Sequence, residues 1–201
     1  LTSAGGMAVQ RVVAERWKQR TGVTIIEGYG MTETSPVVIA SPLDIAEWTG
    51  SIGLPIPSTL AVILDDEERE LTIGELGEIC VRGPQVMPGY WNHPEETAKV
   101  FTREGWLRTG DLGYMDERGY FRITDRKKDM IVVSGFKVFP NQIEDVVAMH
   151  PGVAEVAAIG VPDEMSGEVV KIVVVRKDAA LTEQALLEHC RQHLTGYKMP
   201  R

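Results

Sequence analysis

The stretch Asp125–Asp129 reads DRKKD, five charged residues in succession, and it runs directly into the apolar MIVV at 130–133. Taken alone, a charge run of this kind is a solvated turn between strands. Its neighbours give it more weight, because the pattern of apolar residues differs on its two sides. A chain that changes pattern across a charged step is expected to fold as two units joined there.

Upstream, Val9, Val12, Val13 and Trp17 recur at helical spacing across 8–19, and GVTIIEGYG follows as a short β-branched strand ending in glycines. Helix then strand is the rhythm of an α/β segment, assigned to 1–50. Across 51–125 the rhythm becomes that of short strands separated by turn residues: LAVIL at 60–64, GEICVRG at 77–83 and GYFRIT at 119–124, with DDEERE at 65–70 as a charged hairpin tip. That pattern predicts antiparallel structure, a small distorted β-barrel. Downstream, MIVV is a strand and SGFKVFP a turn with its exit. Ile143, Val146, Val147 and His150 mark a helix face, 153–161 and 168–175 are strands, and 182–194 is a helix with Thr182 as its N-cap. The whole is thus α/β and α+β: 1–125 the end of a large domain, 126–201 a small domain.

Composition narrows the function. The 201 residues carry 21 basic and 29 acidic side chains, a net charge of −8, which argues against nonspecific nucleic-acid binding. Arg122, Arg126, Lys127 and Lys128 nevertheless form a local basic cluster, and such a cluster in an acidic chain points to an anionic ligand. Cys80 and Cys190 sit in apolar-periodic segments, as buried reduced thiols of a cytosolic protein do. No run of about 18 apolar residues is present to span a membrane.

Four segments are candidates for chemistry. EGYGMTETSP at 27–36 combines glycines that let backbone approach a ligand, an aromatic face in Tyr29, hydroxyls suited to phosphate oxygens and carboxylates suited to Mg²⁺. The plainer reading is a polar loop capping a strand, and spacing alone does not choose between them. LTSAGGM at 1–7 is glycine-rich ahead of a helix, without a P-loop or dinucleotide fingerprint. Asp111, in TGD, reads as a turn carboxylate at the foot of a hairpin that caps local amides, or as an acceptor for a ribose diol. His189 and His193 have metal-compatible helical spacing, but no HExxH pattern or third ligand accompanies them, which favours an exposed helical face.

In this order, SAGGM, EGYGMTETSP, GELGEICVRGPQVMPGYW, GWLRTGDLG and DRKKDMIVVSGFKVFPNQIEDV resemble the blocks of the adenylate-forming enzymes, which include acyl-CoA synthetases, luciferases and nonribosomal peptide adenylation domains. The resemblance covers nearly all of the chain and is strongest to bacterial long-chain fatty acid–CoA ligases. It implies a two-step reaction on ATP, a fatty acid and CoA with Mg²⁺: a carboxylate attacks the α-phosphate to give acyl-AMP and pyrophosphate, then the CoA thiol displaces AMP.

It also implies residue roles. Gly5, Gly6 and Met7 line the adenine and acyl-carbonyl region; Tyr29 lies against adenine, in a slot shaped by Gly28 and Gly30. Thr32 bonds phosphate, Glu33 holds Mg²⁺, and Asp111 accepts from the ribose hydroxyls with Arg126 nearby. Lys128 is the hinge of a mobile small domain, and Ser134, Gly135 and Phe136 form the loop that admits pantetheine. Alternation along an extended 125–129 would put Arg126 and Lys128 on one side, facing the nucleotide together. The family's phosphate loop and late catalytic lysine are not among these residues, so the expectation is a C-terminal fragment unable to complete adenylation by itself. Peripheral contact with the inner membrane surface and a homodimer through regions outside the chain are compatible with the resemblance. Loading of a carrier protein, or a noncatalytic nucleotide-binding module, stand as alternatives.

Overall fold

Small residues open the chain, and they make a strand. In the computed structural model, which describes residues 1–7 and 9–201, Thr2–Gly5 (β1) runs parallel to Ile25–Gly30 (β2), with Gly5 opposite Gly28. Between them, Arg11–Thr21 (α1) ends on Gly22 in the left-handed conformation, an ordinary helix stop. The apolar stripe read from the sequence lies at the surface, with Val12, Val13 and Trp17 all exposed and Ala14 the helix's buried residue. Two antiparallel strands, Val37–Ala40 (β3) and Leu54–Pro55 (β4), complete this sheet in the order β1-β2-β3-β4.

A second sheet follows from Leu60–Leu64 (β5), Gly77–Arg82 (β6), Leu107–Met115 (β7) and Phe121–Arg126 (β8), in sequential order, with Pro94–Val100 (α2) between β6 and β7. The order runs from β5 to β8 without closing on itself, and Phe121 of β8 exchanges backbone hydrogen bonds with Ile52 and Gly53 ahead of β4, at 2.9 Å each. This corrects the barrel expectation. A closed barrel needs enough strands to leave room for the side chains that fill it, and four are too few. Val38, Ile39, Ile63, Ile79, Val81, Leu107 and Phe121 form the buried core here. Contacts group residues Leu1–Ile123 into one compact unit and Thr124–Arg201 into another.

In the second unit, Ile131–Val133 (β9) and Phe136–Val138 (β10) form a hairpin closed by Ser134 and Gly135, both with positive φ, 50° and 84°. That pairing of conformations matches the twist of the flanking strands and explains the glycine. Pro140–Ala148 (α3) leads to Val153–Asp163 (β11) and Gly167–Arg176 (β12), giving a sheet in the order β10-β9-β12-β11, and Glu183–His193 (α4) follows. Thr182 Oγ1 accepts from Ala185 N–H at 3.2 Å, the N-cap read from the sequence. Ile131, Val138, Ile143, Val147, Val170, Leu186 and Cys190 fill the core. Both cysteines are buried and unbridged.

Candidate active site

In the first unit, the site is built from the carboxyl ends of two parallel strands, the place where open α/β sheets bind ligands. Gly5, at the end of β1, faces Gly28 of β2; a Cβ on Gly5 would stand 3.0 Å from the Gly28 carbonyl oxygen. Gly6 and Met7 continue past the strand as an exposed turn, with Met7 87% exposed. The helix starts only at Arg11, so the glycines cap a strand rather than open a helix. Gly28 and Gly30 differ in kind. A Cβ on Gly28 would meet nothing within 4 Å, whereas one on Gly30 would stand 1.6 Å from the Pro36 carbonyl oxygen. Gly28 thus faces open space, and Gly30 lets two chain segments pack.

Beyond β2 the chain makes a single 3-10 turn over Thr32–Thr34. Thr34 is buried, its hydroxyl hydrogen-bonded to the Met31 and Pro36 carbonyls, so it holds the turn. Thr32 is exposed, and Glu33 is half-buried with its carboxylate accepting from the Tyr90 hydroxyl at 2.8 Å. That carboxylate in turn raises the pKa of the Tyr90 phenol, by accepting its proton in a hydrogen bond.

Asp111 lies in the middle of β7, not in a turn at the foot of a hairpin. The TGD stretch misled because its glycine sits at an irregularity in the strand: the β6–β7 register shifts between Glu78 and Cys80, Gly110 has φ 76° and its N–H donates to Glu78 Oε1 at 3.1 Å. Asp111 N–H is taken by Thr109 Oγ1 at 3.1 Å. The carboxylate meets Tyr29: the phenol donates to Asp111 Oδ2 at 2.6 Å across 82 positions of sequence. The residues expected at adenine and at ribose are therefore neighbours.

Sequence reasoning gave Glu27 no role of its own. It is buried, accepting from Val9 N–H at 3.2 Å and from the Trp48 indole at 2.8 Å. Burial raises its pKa, opposed by those two donors and by Arg122. Arg122 donates to the Thr49 carbonyl at 2.7 Å and pairs with Asp116 at 3.7 Å.

The second unit holds the remaining expected residues. Arg126 ends β8, and Lys127–Asp129 form a 3-10 turn. The alternation argument for Arg126 and Lys128 fails there, because the segment is not extended. The buried member of DRKKD is its first residue: Asp125 is 4% exposed, accepting from Arg126 N–H at 2.8 Å and Asn141 N–H at 3.0 Å. It satisfies an amide in the first turn of α3, whose N-cap is Phe139 and whose first residue is Pro140. A helix start without Ser, Thr, Asp or Asn at its cap was the available signal. Ser134, Gly135 and Phe136 are exposed at the β9–β10 turn, and the Phe136 ring stacks on Tyr197 at 4.7 Å between centroids. His189 Nε2 contacts the Val146 carbonyl and His193 Nδ1 the His189 carbonyl. Among the described residues no cluster of three or more His, Cys, Asp or Glu is placed to hold a metal. Glu33 by itself suits Mg²⁺, which typically takes one or two carboxylates and completes its shell with phosphates and water.

The AMP-binding enzyme family model matches residues 1–91, and the model of the AMP-binding enzyme C-terminal domain matches 142–201. The chain belongs to the AMP-binding enzyme family. It is 59% identical over all 201 residues to the long-chain-fatty-acid–CoA ligase of Escherichia coli O157:H7, of which it spans 36%. It is 46% identical over 200 residues to the enzyme of that name in Bacillus subtilis (strain 168), covering 98% of this chain and again 36% of the relative. The crystal structure of ATP-bound MatB from Rhodopseudomonas palustris superimposes with a TM-score of 0.95 at 39% identity, covering 100% of this chain and 40% of that one. The chain thus spans about a third of the length of the curated relatives it matches. No helix among the described residues is long and apolar enough to cross a membrane.

Proposed function

We propose that these residues belong to an AMP-forming long-chain fatty acid–CoA ligase and supply its nucleotide floor and its thioester-forming loop. The observation that carries the reading is the 2.6 Å hydrogen bond between Tyr29 and Asp111 beside the paired ends of β1 and β2. It sets an aromatic face and a diol-binding carboxylate next to each other, as a nucleoside requires. The acyl class rests on the likeness to ligases of that name.

In the first step a fatty acid carboxylate oxygen bonds to the α-phosphorus of ATP while the bond to the bridging oxygen breaks, releasing pyrophosphate. Tyr29 stacks on adenine with Gly28 leaving room for it, Gly5, Gly6 and Met7 line the adenine and carbonyl edge, and Asp111 accepts from the ribose hydroxyls, with Arg126 also serving the ribose. Thr32 donates to phosphate, and Glu33 holds Mg²⁺, which supplies charge neutralisation when bound. In the second step the CoA sulfur bonds to the acyl carbon, the carbon–oxygen bond to AMP breaks, and the thiol proton leaves to solvent. Ser134, Gly135 and Phe136 admit the pantetheine arm, and Lys128 is the joint about which 126–201 moves between steps. Most of the effect is positioning and charge stabilisation. A cytoplasmic setting with peripheral membrane contact suits this substrate.

The test is a thioesterification assay on a full-length ligase carrying these residues, with ATP, CoA and fatty acids from about six to eighteen carbons, a series in which each added methylene adds apolar gain on binding. Acyl-CoA, AMP and pyrophosphate in equal amounts are expected. Acyl product formed only on a carrier protein would overturn the CoA assignment.

A further inference from the structure

Glu33 is gripped twice by one distant loop. Its main-chain carbonyl accepts from Met87 N–H at 2.8 Å, and its carboxylate accepts from the Tyr90 hydroxyl at 2.8 Å, 57 positions away. The loop is itself tied down. Tyr90 N–H donates to Thr97 Oγ1 at 2.9 Å, and the Thr97 hydroxyl donates to the His93 carbonyl at 2.9 Å at the start of α2. At Gly89 a Cβ would stand 2.7 Å from Thr97 Cγ2, so the turn lies directly against that side chain. These contacts form a chain from α2 through Thr97 and Tyr90 to one oxygen of the Glu33 carboxylate.

We propose that Tyr90 is a positioning residue that aims the Glu33 carboxylate at a divalent cation, with Thr97 fixing Tyr90. The inference rests on the reading of Glu33 as the Mg²⁺-holding group. A glutamate side chain has three rotatable bonds, and a carboxylate that must meet a cation gains from having one oxygen held while the other stays open to it. Tyr90 holds one of the two oxygens: its hydroxyl engages Oε1. Tyr90 is 36% exposed and its ring contributes nothing to the buried core, so the hydroxyl can be removed without opening a cavity.

The experiment uses a full-length ligase carrying these residues, as wild type and as Tyr90→Phe, Thr97→Val and Glu33→Gln. Mn²⁺ affinity of the complex with a nonhydrolysable ATP analogue is read by electron paramagnetic resonance, and the Mg²⁺ dependence of pyrophosphate release is read alongside. For Tyr90→Phe, the Mn²⁺ dissociation constant and the half-saturating Mg²⁺ are expected to rise about tenfold, the low end for removing the partner of a metal ligand. The rate at saturating Mg²⁺ should stay within about twofold, since the hydrogen bond removed acts on metal binding and not on the transition state. Thr97→Val should move the same constants in the same direction by less. Wild-type Mn²⁺ binding by Tyr90→Phe together with loss of binding in Glu33→Gln overturns the Tyr90 inference and leaves the Glu33 reading standing. Wild-type binding by Glu33→Gln overturns that reading itself. A lower rate at saturating metal with unchanged Mn²⁺ affinity in Tyr90→Phe also overturns the inference, since it marks a structural role.

Discussion

Gly30→Ala and Gly28→Ala are the same chemical change two residues apart in β2, and they should have opposite consequences. At Gly30 the new Cβ would stand 1.6 Å from the Pro36 carbonyl oxygen, 2.6 Å from its carbon and 2.8 Å from Val37 Cα. All three are backbone atoms, so no side-chain rotation relieves the overlap. Reaching ordinary contact at 3.4 Å demands a separation of 3.4 − 1.6 = 1.8 Å. That movement stretches Met31 N–H to Pro36 O, now 2.9 Å, and Thr34 Oγ1 to Pro36 O, now 2.6 Å, beyond hydrogen-bonding range. Overpacking costs about 1–3 kcal/mol and each broken hydrogen bond about 1 kcal/mol, so Gly30→Ala should destabilise by about 3–5 kcal/mol. At Gly28 no atom lies within 4 Å of the new Cβ, and the variant should stay within about 1 kcal/mol of wild type. The assay is urea unfolding of the full-length ligase followed by tryptophan fluorescence, with the ATP dependence of pyrophosphate release measured on both variants. Gly28→Ala should fold normally and show a raised KM for ATP, because its methyl enters the slot assigned to adenine. Equal unfolding midpoints for the two variants would refute the reasoning.

Asp111→Ala should lower ATP-dependent pyrophosphate release by about one to two decades for each hydrogen bond to the ribose that it removes, at about 1.5–3 kcal/mol per charge-assisted bond; unchanged kinetics would sink the ribose role. Asp125→Ala leaves the amides of Arg126 and Asn141 without their acceptor, and should cost about 1–3 kcal/mol in urea unfolding. Lys128→Pro fixes φ at the joint and should slow thioester formation more than adenylation, read by single-turnover kinetics of each half-reaction. Glu27 provides a pH test. Its folded pKa lies above the ordinary 4.5, chiefly from burial, so the folded protein holds that proton more tightly than the unfolded one. Its contribution to stability is complete below about 4.5 and is lost as pH rises through the folded value. The stability of the wild type relative to Glu27→Gln should therefore fall with rising pH above about 4.5, measured by urea midpoints across pH, and a constant difference would contradict it.

What was legible in the sequence was local. Residues 60–64 form β5 as read, because a short continuous apolar run, LAVIL, bounded by turn residues needs no distant partner to declare itself. The helix after Thr182 begins where its cap chemistry places it. β7 was hidden by Gly110 and Gly113, which look like turn residues. Gly113 is a strand residue: a Cβ there would stand 2.2 Å from the Arg122 carbonyl oxygen, a requirement set by β8 and invisible from position 113. β1 was missed because Thr2–Gly5 carries none of the bulky residues that mark a strand, and it is held by pairing with β2. The site follows the same division. Its glycines, Tyr29, Thr32, Glu33 and Asp111 came from motifs, while Tyr29 meeting Asp111 and Tyr90 meeting Glu33 are products of the fold across 82 and 57 positions. Within DRKKD, nothing in the run itself distinguished the buried Asp125 from the exposed Asp129; the amide it serves lies 16 residues on.

The Ser134–Gly135 turn has an unusual kind of constraint. A Cβ on Gly135 would meet nothing within 4 Å, so the position has room for a larger residue, yet its φ of 84° disfavours every L-amino acid that could supply one. The restriction at the tip of the β9–β10 hairpin is therefore one of handedness and not of volume. A D-alanine introduced at 135 by chemical ligation would satisfy it, whereas L-alanine would not. The shape of this tip is written in backbone chirality, and the side chains around it are left free to be selected for what they touch.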